Sequence, residues 1–114
     1  MNVNVQFRED DRVMRGFIEG EIDTFTAPIL REELDSIPLG EGITVELNLS
    51  KVTYMDSTGL GIFVAFYKKA TREKATFKLV GLTSRLVRLF KITGLKDLMI
   101  LEEAEKVEYT NESI

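Results

Sequence analysis

Cysteine and histidine are both absent from the 114 residues of this chain. Without cysteine there is no disulfide, no thiolate zinc site and no cysteine-held iron–sulfur cluster. Without histidine the usual general base, the usual metal ligand and any Ser-His-Asp triad are gone. Long apolar runs are missing too. The longest, Ile62 to Tyr67, spans six residues, whereas a bilayer requires ~20. The start, Met1-Asn2-Val3-Asn4-Val5-Gln6, has no basic end followed by an apolar stretch, so no signal peptide is read there. Internal repeats, low-complexity tracts and linkers are likewise not found. The expectation is a cytoplasmic protein that is not an enzyme, holds no metal or cofactor and does not enter a membrane.

What is present suits one domain covering residues 1–114, with a core of about 3–101 and an acidic tail at 102–114. A chain of this size buries roughly two-thirds of the surface it exposes when unfolded, and 44% hydrophobic residues supply the material. The net charge of −4 is unevenly spread. Met1 to Ser57 holds five basic and twelve acidic residues, Thr58 to Ile100 nine basic and two acidic, and the stretch from Leu101 one basic and five acidic. Lys68, Lys69, Arg72 and Lys74 cluster, and Arg85, Arg88 and Lys91 recur at helical spacing. The plainest account is two solvated helix faces; a basic middle in an acidic chain also suits a charge-patterned protein partner. Nucleic acid is not expected, because the net charge repels phosphate at long range and no nucleic-acid-binding motif is found.

Hydrophobic periodicity orders the chain. Val3, Val5 and Phe7 alternate with polar residues as a half-buried strand does, and Arg12 to Glu19 completes a hairpin. Thr26 is placed to cap a helix with Pro28 in its first turn and Leu30, Leu34 and Ile37 as its apolar stripe. Ile43 to Leu49 is the clearest strand, followed by an expected loop, Ser50 to Met55. The segment ending near Arg72 carries Leu60, Phe63, Val64 and Tyr67 at helical spacing. Thr76 to Val80 reads as a strand, Ser84 as the cap of a helix that runs to about Ile92 and is stopped by Gly94, Met99 to Leu101 as a last strand, and Ala104 to Asn111 as a frayed helix. The order β-β-α-β-α-β-α-β calls for a small mixed α/β sheet, its parallel strands joined by right-handed crossovers. Because several strands keep a polar face, the helices are expected mainly on one side.

One segment reads as a site: Asp56-Ser57-Thr58-Gly59-Leu60-Gly61. It lies where a strand gives way to a helix N-terminus, at the edge of an α/β sheet where ligands and partners dock. Either Asp56 or Ser57 suits the cap position. Two glycines in a first helical turn cost about 1 kcal/mol each relative to alanine. They either strip side chains from the surface so that another backbone can approach, or permit tight packing beneath the helix; the residues leave both open. No lysine follows Gly61, so this is no phosphate loop. Val64 replaces the third glycine of a dinucleotide fingerprint, and Met55 the first glycine of a nucleophile elbow. Asp23 and Asp56 form a conceivable Mg²⁺ pair, although loop aspartates more often serve as caps. What remains is a serine displayed at a helix start, suited to modification by another protein.

Tyr54-Met55-Asp56-Ser57-Thr58-Gly59-Leu60-Gly61, with Gly20-Glu21-Ile22-Asp23 upstream and Arg88-Leu89-Phe90-Lys91-Ile92-Thr93-Gly94-Leu95 downstream, resembles the STAS-domain anti-sigma factor antagonists. Thr58 after Ser57 looks more like the stress-response, sigma-B branch than the sporulation branch. The resemblance implies a STAS fold and a partner-switching regulator of transcription in a Gram-positive bacterium. In that family the unphosphorylated antagonist binds an anti-sigma factor that is also a serine kinase, and so frees the sigma factor; a PP2C-type phosphatase reverses the phosphorylation. By position the resemblance makes Ser57 the phospho-acceptor and Asp23, Asp56, Thr58, Gly59, Leu60, Gly61 and Leu89 the partner-binding residues. A leucine at helical spacing is usually core, which is the alternative for Leu60 and Leu89; the resemblance instead implies that Leu60 projects into the interface. The acidic tail is expected to be dispensable for that interaction. A STAS scaffold or transporter-associated module is the alternative within the same fold, and a small enzyme using Asp and Ser lies outside it.

Overall fold

The computed structural model describes residues 2–104. Its elements are β1 (Val3–Asp10), β2 (Val13–Ile22), α1 (Ala27–Asp35), β3 (Thr44–Met55), α2 (Ser57–Arg72), β4 (Thr76–Leu82), α3 (Ser84–Ile92), a 3-10 turn (Leu95–Asp97) and β5 (Ile100–Glu103). The five strands form one sheet in sequential order. β1 runs antiparallel to β2, and β2 through β5 are parallel. Parallel neighbours taken in chain order require crossovers that all step the same way, and crossovers of one hand place every helix on one face. This is the mixed sheet with one-sided helices expected from the sequence.

The burial pattern shows the two faces. Ile18, Val45, Leu47, Leu49, Phe77 and Leu79 are buried beneath the helices, where they meet Leu30 and Leu34 of α1, Phe63 and Phe66 of α2, and Leu86 and Phe90 of α3. Phe66 and Phe77 meet edge to face, with ring centroids 4.9 Å apart, a contact worth about 0.5–1.5 kcal/mol beyond its buried area. The opposite face is polar. There Glu46 on β3 lies 3.5 Å from both Arg15 of β2 and Lys78 of β4, and the Arg8 guanidinium sits over the ring of Phe17.

Four expectations shift. Ser50 to Met55 is not a loop but the second half of β3, paired with β2 up to Ile22↔Met55. Two register irregularities against β2, between Phe17 and Glu19 and between Gly20 and Glu21, break the alternation that marks a strand, so the pattern reads as loop. The same pairing carries β2 to Ile22 rather than Glu19. The cap of α3 is Thr83, whose hydroxyl accepts from the Leu86 amide, and Ser84 is the first helical residue. The last strand begins at Ile100 because Met99 is drawn into the preceding turn, donating its amide to Leu95. Gly94, at φ +81°, supplies the left-handed stop after α3. The expected terminal helix lies outside the described residues. Among those described, no helix is long and apolar enough to cross a membrane.

The two faces of β3 make opposite stability predictions. Leu47→Ala removes a fully buried side chain and is expected to cost about 2–5 kcal/mol in urea unfolding. Glu46→Gln, one residue away on the polar face, removes partly exposed ion pairs and is expected to cost under about 1 kcal/mol.

Candidate functional site

The carboxyl ends of the parallel strands collect the site. Ile22 and Met55 are the last paired residues of β2 and β3, so Asp23 and Asp56 leave the sheet side by side, and the Asp56 amide donates to the Ile22 carbonyl. Each aspartate then fixes backbone amides just past its strand. Asp56, in extended conformation, caps α2: its Oδ1 accepts from the Thr58 amide at 2.9 Å. Asp23 closes the turn into α1: its Oδ1 accepts from the amides of Phe25 and Thr26, both at 3.0 Å. Thr26, expected to be the cap, instead accepts from the Asp23 amide and donates its hydroxyl to the Glu21 carbonyl. Thr26 does hold the N-cap position of α1, but its buried hydroxyl makes no capping hydrogen bond to the helix, and Asp23 instead fixes the turn that leads into it.

Asp23 is therefore not a surface carboxylate. It is 5% exposed, with Oδ1 held by backbone amides, and it acts on the surface by shaping the turn that displays Phe25, which is 80% exposed. With one oxygen of Asp23 and one of Asp56 committed to amides, the pair is built to hold backbone. Among the described residues no group of three or more Asp, Glu, His or Cys is arranged to hold a metal ion.

Ser57 is the first residue of α2 and is exposed. Its hydroxyl makes no hydrogen bond among the described residues, so the side chain stands free in solvent. The amides that follow it are already paired: Thr58 with the Asp56 carboxylate, Gly59 and Leu60 with the Asp56 carbonyl. Thr58 is partly buried beside it.

The two glycines have different tasks. A Cβ on Gly59 would lie 2.6 Å from Met55 Cγ and 2.8 Å from Ile22 Cγ2; this glycine lets α2 settle onto the strand ends. A Cβ on Gly61 would meet nothing within 4 Å, so this glycine leaves the surface one turn from Ser57 bare. Leu60 requires a correction. It is 6% exposed and belongs to the core cluster, because the helix turns its 60, 63, 66 and 70 positions toward the sheet. It does not project toward a partner.

Leu89 is half-buried on α3 and lines a groove between that helix and the end of β3, together with Tyr54 and Met55. The structure thus sets Ser57, Thr58 and Gly61 around one helix start, with Phe25 beyond the β2 end and the Leu89 groove beside the β3 end. Sequence reasoning missed Phe25 and Ile92, both large apolar side chains left exposed. Phe25 had a usable signal, an aromatic one residue from a helix start with no periodic partner. Ile92 looked like the last apolar residue of a helix stripe.

The sequence matches the STAS domain family over residues 3–111. It is 46% identical over 100 residues to the anti-sigma-B factor antagonist of Bacillus subtilis, covering 87% of this chain and 90% of that one. It is 42% identical over 106 residues to the anti-sigma-B factor antagonist of Listeria monocytogenes, covering 92% and 93%. The fold superimposes on an anti-sigma factor antagonist from Mycobacterium paratuberculosis with a TM-score of 0.74 at 30% identity, covering 88% and 85%.

The site makes a local prediction. Gly59→Ala forces contacts with Met55 and Ile22 and is expected to destabilise by about 1–3 kcal/mol. Gly61→Ala meets open space and is expected to stabilise by up to about 1 kcal/mol through helix propensity. Leu60→Arg buries a charge in the core and is expected to abolish cooperative melting. Thermal melts followed by circular dichroism read all three.

Proposed function

The chain belongs to the STAS-domain family, and we propose that within it this protein is an anti-sigma factor antagonist switched by phosphorylation of Ser57. The observation that carries this reading is the placement of Ser57, an unbonded hydroxyl at the exposed first residue of α2 beside the bare surface of Gly61. The identity to anti-sigma-B factor antagonists supports the same reading. The unphosphorylated chain binds an anti-sigma factor through Ser57, Thr58, Gly61 and the neighbouring groove at Leu89, and that factor then releases its sigma factor. Asp56 and Gly59 hold the helix start in place, and Asp23 holds the Phe25 turn next to it. The anti-sigma factor acts as the serine kinase and a PP2C-type enzyme as the phosphatase. This chain contributes the substrate hydroxyl rather than catalysis, and the exchange takes place in the cytoplasm.

The geometry also gives the switch a physical form. A phosphoserine carries about −1.5 to −2 charges at neutral pH. At many helix starts such a group is drawn to free amides. Here the Thr58, Gly59 and Leu60 amides are already engaged by Asp56, and the Asp56 carboxylate is a neighbouring negative charge. A phosphate on Ser57 is therefore left in water, with little reason to reshape the domain. Its effect falls on the partner, which must desolvate a dianion against a surface fitted to a hydroxyl.

Phosphorylation of Ser57 is expected to weaken binding to the anti-sigma factor about a thousandfold, equivalent to about 4 kcal/mol, with the melting temperature almost unchanged. Ser57→Ala is expected to bind as the unmodified chain does, and Ser57→Asp to fall between the two. Isothermal titration calorimetry with the purified anti-sigma factor, alongside melting curves of each form, measures both quantities. Equal binding by the phosphorylated form, or loss of binding through unfolding, overturns the mechanism.

A further inference from the structure

β1 is the outermost strand of the sheet, paired on one side with β2 and, among the described residues, with nothing on the other. Long edge strands are normally blunted by proline, a bulge or a charge. Val3-Asn4-Val5-Gln6-Phe7 has no proline and no charge, and it pairs with β2 without a register irregularity.

The hydrogen-bond phase fixes which of its groups are left over. The two-residue turn at Asp11 and Arg12 makes Asp10↔Val13 a pair that exchanges both main-chain bonds. The Glu21 amide donates to the Asn2 carbonyl in the same phase. Antiparallel pairs alternate, so Asn4, Gln6 and Arg8 turn their amides and carbonyls toward β2, and those of Val3, Val5 and Phe7 point out from the edge. The side chains divide in the same way. Val3, Val5 and Phe7 are half-buried against the core, whereas Asn4, Gln6 and Arg8 are exposed.

We infer that β1 pairs antiparallel with β1 of a second copy of this chain, about a twofold axis at Val5, joining the two sheets into one. In that register Val5 meets Val5 and Val3 meets Phe7. All are residues whose main-chain groups point outward, and they give about six interchain hydrogen bonds. Apolar side chains then face apolar ones on the helix side, and Asn4 faces Gln6, carboxamide to carboxamide, on the open side. The register is selective. An axis at Gln6 sets Val3 against Glu9, and an axis at Asn4 leaves Phe7 without a valine opposite. With the axis at Val5, Glu9 and Asp10 fall beyond the block of valines and phenylalanine.

α1 adds to the same edge. Arg31 and Asp35 line the seam with α2, so helical spacing puts Ile29 on the opposite flank, toward β1. Ile29 is 50% exposed, and the twofold brings the second copy's α1 up on the same face of the joined sheet. The parallel strands of the two copies run in opposite directions, so the two Ser57 sites stand at opposite ends and both stay open.

The test is sedimentation equilibrium of the full chain at rising concentration. The wild-type chain is expected to reach twice the monomer mass below about 1 mM. Val5→Pro removes an outward amide and no bond to β2, and is expected to leave a monomer. Asn4→Lys combined with Gln6→Lys changes only exposed side chains and sets like charges across the axis. It is expected to weaken dimerisation at least about tenfold. Asn4→Lys combined with Gln6→Glu sets opposite charges in the same places and is expected to restore it. Melting temperatures of both double variants should match the wild type, and they decide the matter where Val5→Pro does not fold. A wild-type chain that stays monomeric, or a dimer indifferent to the charge swap, overturns the proposal. A monomer that dimerises only when residues 105–114 are removed assigns the edge to the chain's own tail and overturns it as well.

Discussion

Everything in this domain depends on the parallel pairing of β2, β3, β4 and β5 in chain order. A parallel neighbour cannot be reached by a tight turn, so each step requires a crossover. Crossovers of one hand, all stepping in one direction, put α1, α2 and α3 on a single face. That choice buries one side of the sheet and leaves the other to Arg15, Glu46 and Lys78. It also makes each helix begin where a parallel strand ends. The helix starts at Thr26, Asp56 and Thr83 therefore gather along one edge, and the candidate site there is a by-product of the topology.

At that edge, cap and display are separate jobs given to adjacent residues. Asp56 binds the backbone and is thereby immobilised; Ser57 is left without an internal partner. Had the serine been the cap, its hydroxyl oxygen would have been held by an amide. The same division operates one strand over, where Asp23 and Thr26 are consumed by the turn and Phe25 is put outside. Gly59 completes the arrangement from below: its missing side chain lets the helix start rest on Met55 and Ile22, which sets the height of Ser57 above the strand ends.

The charge distribution has a matching logic. The basic middle of the chain falls on α2, β4 and α3, whereas most acidic residues lie in the first half and after Leu101. Part of the basic set is used internally, in Lys69 with Asp35 and Lys78 with Glu46. Among the described residues Arg85 and Arg88 have no such carboxylate, and they stand beside the apolar lining of the α3 groove. A net acidic protein thus keeps a local basic surface close to the start of α2.

Local chemistry in the sequence by itself determined the alternation of strands and helices, the one-sided sheet, a cap at Asp56 or Ser57 and an exposed serine at that helix start. Each of these is written within a few residues: a period of two or of 3.6, a carboxylate before an apolar helix, a glycine at a helix stop. What the tertiary structure alone decided required knowing which residues face each other across the sheet. The second half of β3 was hidden because pairing with β2 continues through register irregularities that erase its alternation. Leu60 was undecidable from spacing, since a leucine in the first turn of a helix points to core or to partner according to how the helix is rolled on the sheet. Gly59 and Gly61 look alike in the chain, yet one lies against Met55 and Ile22 and the other faces open space. The groove at Leu89 combines β3 with α3, about thirty residues apart in sequence, and no local pattern records that they meet. Burial and juxtaposition are properties of pairs of distant segments, and only packing assigns them.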